Sequence, residues 1–211
     1  MEPRKEYYQK QAQVIISNLA RRNMEGYYCD NIEEAKEKAA ELLKEKKIIG
    51  YGGSMSMDDH GFKEFLQEKG HEIIFRENYK TPEEIKELKA KTVNCDAFFT
   101  STNAITMDGE LINIDGTSNR ISYIAYGPET VYFIVGMNKV APTFEEGMKR
   151  ARNVAAPLNA IRLCRGTPCT KAGKCMDCLD KDTICCNFLI TRYSRFKGRI
   201  KVILVGEELG Y

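Results

Sequence analysis

The chain reads as an α/β protein in which a mostly parallel sheet is flanked by helices. Three observations carry that expectation. Short β-branched and aromatic runs alternate with amphipathic stretches of helical period. Glycine-bearing turns follow the runs, and capping residues open the stretches. The 211 residues, 43% apolar and 29% charged, suffice for one core of ordinary composition. No repeat or low-complexity linker divides them, so a single domain is expected over 1–211, with a cysteine-rich excursion at 164–187 set within it.

After Pro3, residues Tyr8, Ala12, Ile15, Ile16 and Leu19 recur at helical spacing. Residues 26–29 form a short strand candidate. Asn31 and Glu34 stand as N-cap and N3 of a helix that continues through Ala35, Ala39 and Leu43 into the basic run 44–47, a solvated helix end. Ile48–Tyr51 is a buried strand, followed by Gly52-Gly53-Ser54 and a helix capped by Ser56 with Asp59 at N3. That helix would bury Phe62, Phe65 and Leu66 and stop at Gly70, which suits the left-handed position. Residues 73–75 give the next strand, Thr81-Pro82-Glu83-Glu84 opens a helix, and Ala97–Thr100 is another strand. Such alternation is that of parallel βαβ units.

Beyond residue 110 the pattern changes. Leu111–Asp115, 121–126 and 131–136 are β-like, divided by Asp115-Gly116 and Gly127-Pro128. Thr143 with Glu146 opens a helix through Met148, Ala151, Val154 and Ala155, broken at Pro157. Two strands follow the cysteines, at 188–191 and Ile200–Val205. The second is nearly all apolar and belongs inside a sheet.

Thirty-two basic and 30 acidic residues leave a net charge of +2. That balance creates no demand for nucleic acid or an anionic membrane as partner. No apolar run approaches the roughly 18 residues of a membrane span, and the charged N-terminus does not read as a signal core. A soluble, cytoplasmic protein is expected, in a compartment that keeps thiols reduced.

Two turns are candidates for ligand binding. Gly52, Gly53 and Ser54 lie between strand and helix, where glycine lets the backbone approach a ligand and a helix start offers N–H groups to an anion. The turn lacks the lysine of a phosphate loop and the full GxGxxG, and a plain βα turn would use the same glycines. The second stretch, 100–116, sets Ser101, Thr102 and Asn103 at the carboxyl edge of a parallel sheet, where ligands bind in open α/β folds. Within it, Asp108 and Gly109 also read as a hairpin turn. Backbone N–H groups near Ser54 and Asn103 would serve as donors to an anion. Arg120 and Lys139 are the candidate cations for its phosphate or carboxylate. Glu207, after the last apolar strand, is either a surface carboxylate or a catalytic base or nucleophile facing the pocket. His60 and His71 carry no local signature of a hydrolytic triad.

Six of the eight cysteines fall between 164 and 186, spaced Cys164-x4-Cys169-x5-Cys175-x2-Cys178-x6-Cys185-Cys186. Cys175 and Cys178 are spaced to chelate one metal centre, and two more of the six would complete a four-sulfur set. Zinc and a [4Fe–4S] cluster both accept such a set. Lys171, Lys174 and Arg165 would offset the thiolate charge. Disulfide or redox switching, and inert thiols, are the other readings of this segment. For the isolated Cys29 and Cys95, burial as small apolar side chains is expected.

Taken in order, several motifs resemble the lactate-utilisation (LUD) domain family. They are Gly52-Gly53-Ser54-Met55-Ser56, Ser101-Thr102-Asn103-Ala104-Ile105-Thr106 with Asp108-Gly109-Glu110-Leu111, Asn113-Ile114-Asp115-Gly116, Asn119-Arg120, Tyr126-Gly127-Pro128, Gly136-Met137-Asn138-Lys139, Arg152-Asn153, Ala155-Ala156-Pro157-Leu158-Asn159 and Gly206-Glu207-Glu208-Leu209-Gly210. The resemblance spans nearly the whole chain. It implies a fold similar to the NagB/RpiA/CoA-transferase-like group, whose strand-end loops hold phosphate or acyl-CoA parts of substrates. Family members are linked to lactate oxidation beside iron–sulfur and other redox subunits, and the cysteine-rich segment marks one branch of the family.

Three classes of function follow. One is a protein binding a small anionic metabolite (a lactate-type acid, sugar phosphate or CoA ester) at the sheet edge, joined to organic-acid metabolism by a redox partner subunit. Another is an iron–sulfur electron-transfer or redox-sensing subunit. The third is a binding module with structural zinc. Whether the chain is an enzyme stays open, and assembly as a homo-oligomer is compatible with all three.

Overall fold

The first helix, α1 (Pro3–Arg21), buries Ala12, Ile15 and Leu19, the stripe expected from the spacing. The computed structural model describes residues 2–45 and 47–211. Met1, and Lys46 of the basic run, lie outside the described residues. The strands in chain order are β1 (Glu25–Cys29), β2 (Ile48–Tyr51), β3 (Glu72–Ile74), β4 (Ala97–Thr100), β5 (Ala104–Thr106), β6 (Leu111–Asp115), β7 (Thr130–Gly136), β8 (Val140–Ala141), β9 (Asn187–Thr191) and β10 (Ile200–Val205). Six form the main sheet in the order β1-β10-β7-β4-β2-β3, parallel throughout.

The interior strands β7 and β10 are apolar on both faces because helices cover both. Val131, Phe133, Val202 and Leu204 pack in the core that includes α1. Tyr132, Ile134, Ile203 and Val205 pack in the opposite core. That second core takes residues from α2 (Ile32–Leu43), α3 (Met55–Asp58) and α4 (Phe62–Glu68). Asn31 caps α2 by accepting from Glu34 N, as expected. Thr81 and Glu84 form a full capping box on α5 (Pro82–Val93).

A second sheet, order β8-β5-β6-β9, stands beside the first. It is a β5–β6 hairpin with β8 added in parallel to β5 and β9 antiparallel to β6. Ile105 and Leu111 join the α1 core, while Ala104, Ile112 and Ile114 face a third cluster.

Three local expectations are corrected. Residues 121–125 belong to a helix, α6 (Asn119–Ala125), entered through Ser118 in the left-handed conformation at φ 62 and closed by Tyr126 in extended conformation. Its buried residue is Ile124, with Tyr123 packed on the same core, so an amphipathic turn passed for a short strand. Ser54, not Ser56, stands at the N-cap of α3, and the chain restarts as α4 after Gly61 at φ 61. Pro157 does not break its helix. Helix α7 (Phe144–Arg150) continues through a π turn, Ala151–Ala155, into α8 (Ala156–Arg162). The wider turn just before Pro157 accommodates a ring that cannot donate a backbone hydrogen bond. The cysteine segment then contains one short helix, α9 (Pro168–Ala172). Among the described residues, no helix is long and apolar enough to cross a membrane.

Candidate functional site

The chain passes from the main sheet to the second sheet twice, side by side. Residues 101–103 join β4 to β5, and a 3-10 turn, Met137–Lys139, joins β7 to β8. Because β4 pairs with β7 and β5 with β8, both in parallel, the crossings lie together. Ser101 therefore meets Lys139, whose Nζ donates to Ser101 Oγ at 3.1 Å and to Ser56 Oγ at 2.7 Å. Ser56 lies on α3, just past the glycine turn after β2. The two turns singled out in the sequence thus converge on one edge, joined by a lysine.

Arg120 reaches this edge from α6. Its guanidinium donates to Ser101 O at 2.8 Å, Asn113 Oδ1 at 2.7 Å, Ile114 O at 3.0 Å and Asn103 Oδ1 at 3.3 Å, with Asp115 at 3.9 Å. The backbone of Gly52 packs on it closely. A Cβ there would lie 2.8 Å from Phe98 Cζ and 3.4 Å from Arg120 Cγ, whereas at Gly53 it would meet nothing within 4 Å. From α7, Arg150 donates to Asn103 O and to Asn138 O.

Burial, and then the charges of Arg150 and Arg120, push the Lys139 amine down to about 7. Only 3% of Lys139 is exposed. Burial also lowers Arg120 and Arg150, with Asp115 opposing the shift at Arg120. Among the described residues, Asp115 is the one carboxylate in ion-pair range of these three cations. Asn113 is fully buried, and its Nδ2 has no partner. Gly53 is exposed and Asn103 half-buried, so the cluster has an open rim.

The other expected residues fall as follows. Thr102 Oγ1 donates to Ala104 O and Ile112 O, fixing the crossing. The backbone donors expected to meet an anion are already engaged, Ser54 N by Asp58 Oδ2 and Asn103 N by Ile112 O. Asp108 and Gly109 lie at the far end of the hairpin, against α1. There Arg22 Nε donates to Asp108 O at 2.6 Å, and a Cβ on Gly109 would lie 3.2 Å from Leu19 N. The structure does not bring those two residues to the Lys139 cluster. Glu207 Oε2 accepts from Ile32 N at 3.0 Å, so its carboxylate serves the first turn of α2. Ser56, Asn113, Asn138 and Arg150 were not singled out as site residues. Asn113 had a signal: an amide in the middle of an apolar strand needs a polar partner.

The cysteines divide into groups. Cys29 and Cys95 are buried in the two main cores. A cavity of about 210 Å³ is lined by Cys169, Cys175, Cys178 and Cys185. Cys164 and Cys186 are exposed and do not line it. Burial pushes the Cys185 thiol up to about 11, and Cys175, Cys169 and Cys178 add to the shift. Arg152, on the π turn, lies 3.5 Å from Cys175 Sγ and pairs with Asp177. Arg165 pairs with Asp182 at 3.1 Å. Among the described residues, no three His, Cys, Asp or Glu side chains stand where they could hold a single metal ion.

Fold and site together define an α/β protein with a cationic, largely buried cluster at the carboxyl edge of its parallel sheet. The LUD domain profile matches residues 12–205, and the chain belongs to that family. A DUF162 family protein from Deinococcus radiodurans is similar over 95% of this chain and 98% of its own, at 14% identity and a TM-score of 0.49. No curated protein matches the chain.

Proposed function

We propose that this LUD-domain protein binds a small anionic metabolite, a lactate-type acid, sugar phosphate or CoA ester, at the rim of the Lys139 cluster. One observation carries the reading: Lys139, Arg120 and Arg150 are gathered at one sheet edge with Asp115 as their carboxylate. Burying cations together is unfavourable unless an opposite charge joins them. A bound carboxylate or phosphate would supply that charge. The exposed Gly53 leaves space for the ligand to approach the backbone. A redox partner that processes such a metabolite fits this reading, and no side chain here is assigned a catalytic step.

Calorimetric titration against lactate, a sugar phosphate and a CoA ester tests the proposal. At least one should bind, and Lys139→Met, which keeps the volume and removes the amine, should weaken it at least tenfold. Failure of all three ligands to bind the wild-type chain would sink the reading.

A further inference from the structure

The cysteine segment forms a second site, independent of the anion cluster. We propose that Cys169, Cys175, Cys178 and Cys185 hold a [4Fe–4S] cluster in the cavity between α8, the π turn and the segment itself.

Selection among the thiols is the first argument. Of the six clustered cysteines, these four line a single cavity, and the two left on the surface are Cys164 and Cys186. The ligand spacing becomes C-x5-C-x2-C-x6-C. All four are free thiols, so each can lose its proton and form one iron–sulfur bond. Two ferrous and two ferric ions with four sulfides make a doubly positive core, so the four thiols ligate it by releasing four protons to solvent, with no electron transferred.

The second argument concerns size. A lone zinc draws each sulfur to about 2.3 Å, which requires four thiolates almost in contact. Here they share a cavity of about 210 Å³. A cubane brings its own iron and sulfide, so its thiolates stand further apart around a larger centre. Four thiols lining one cavity of that volume suit the larger centre.

The surroundings agree. Ala156, Pro157, Ile184 and Phe188 give the cavity an apolar wall. Arg152 stands at Cys175, where it would face the negative charge of a four-thiolate cluster. Few large apolar side chains of the segment are buried: Leu179 is fully exposed and Met176 half-exposed. Its anchors are the buried Thr167, the Arg152–Asp177 pair, Cys185 in the third apolar cluster, the pairing of β9 with β6, and Ile184 against Gly116.

The full chain should be produced and purified without oxygen, then assayed for iron, acid-labile sulfide and zinc. About four irons and four sulfides per chain are expected, with visible absorption that fades on chemical reduction. Cys175→Ser, Cys178→Ser and Cys169→Ser should each lose most of the iron, while Cys164→Ser and Cys186→Ser keep it. Cys185→Ser removes a packed side chain, so Cys178→Ser, at the half-exposed rim, is the variant that reads ligation apart from folding. Stoichiometric zinc without iron would overturn the proposal. So would iron that survives the Cys175 and Cys178 substitutions, or metal-free anaerobic protein whose residues 164–187 resist protease.

Discussion

Lys139 shows how a side chain acquires a property its residue type does not give it. The same crossing that hides its amine from water places two guanidinium groups close by, and both effects disfavour its proton. Its folded value of about 7 lies below the unfolded value of about 10.4, so the unfolded chain binds more protons between those limits. Stability contributed by this position therefore rises with pH from about 7 to about 10, and is lowest and flat below 7. In Lys139→Met that slope should vanish, so wild type should gain on the variant as pH rises in denaturant titrations. A difference between the two that is the same at neutral and alkaline pH would contradict the assignment. The neighbouring glycines separate packing from binding in the same way. Gly52→Ala drives a Cβ into the Phe98 ring and should cost roughly 1–3 kcal/mol. Gly53→Ala meets open space and should change stability by no more than about 0.5 kcal/mol, yet weaken anion binding if the ligand approaches that backbone. Equal melting temperatures for the two variants would refute the packing argument.

At the scale of elements, the strands and caps were legible because their signals are local. Asn31 and Thr81 cap the helices their neighbours predict, and apolar runs mark β4, β7 and β10. The misreadings came where one local signal had two meanings. Residues 121–126 carry apolar residues that serve equally a strand or one helical face, and Pro157 ends most helices but here follows a π turn. The meeting of Ser101 with Lys139 was not legible, since it depends on β5 and β8 pairing in parallel beside β4 and β7. The cysteines were legible as a cluster, but not which of them face one cavity. Gly116 controls that placement, because a Cβ there would lie 3.1 Å from Ile184 Cα. Gly116→Val should push the segment from β6, destabilise the protein by roughly 1–3 kcal/mol and expose residues 164–187 to limited proteolysis. Digestion indistinguishable from wild type would show that this contact does not hold the segment.

Across the whole molecule, one continuous helical element links the two candidate sites. Arg150, at the end of α7, fixes Asn103 and Asn138 beside the Lys139 cluster, and Arg152, two residues on, faces Cys175. The near-balanced net charge of +2 hid this arrangement, because composition does not report where cations gather. The central claim is that an anion completes the Lys139 cluster, and such an anion must favour the protonated amine. For the ligand that binds, calorimetry across pH in two buffers of different ionisation enthalpy measures affinity and proton exchange together. Above pH 7, proton uptake on binding is predicted, with an affinity that is flat below about 7 and falls by up to tenfold per pH unit above it. Lys139→Met should show neither effect. Wild-type binding with no proton uptake, and an affinity unchanged between pH 6 and pH 9, would contradict the claim.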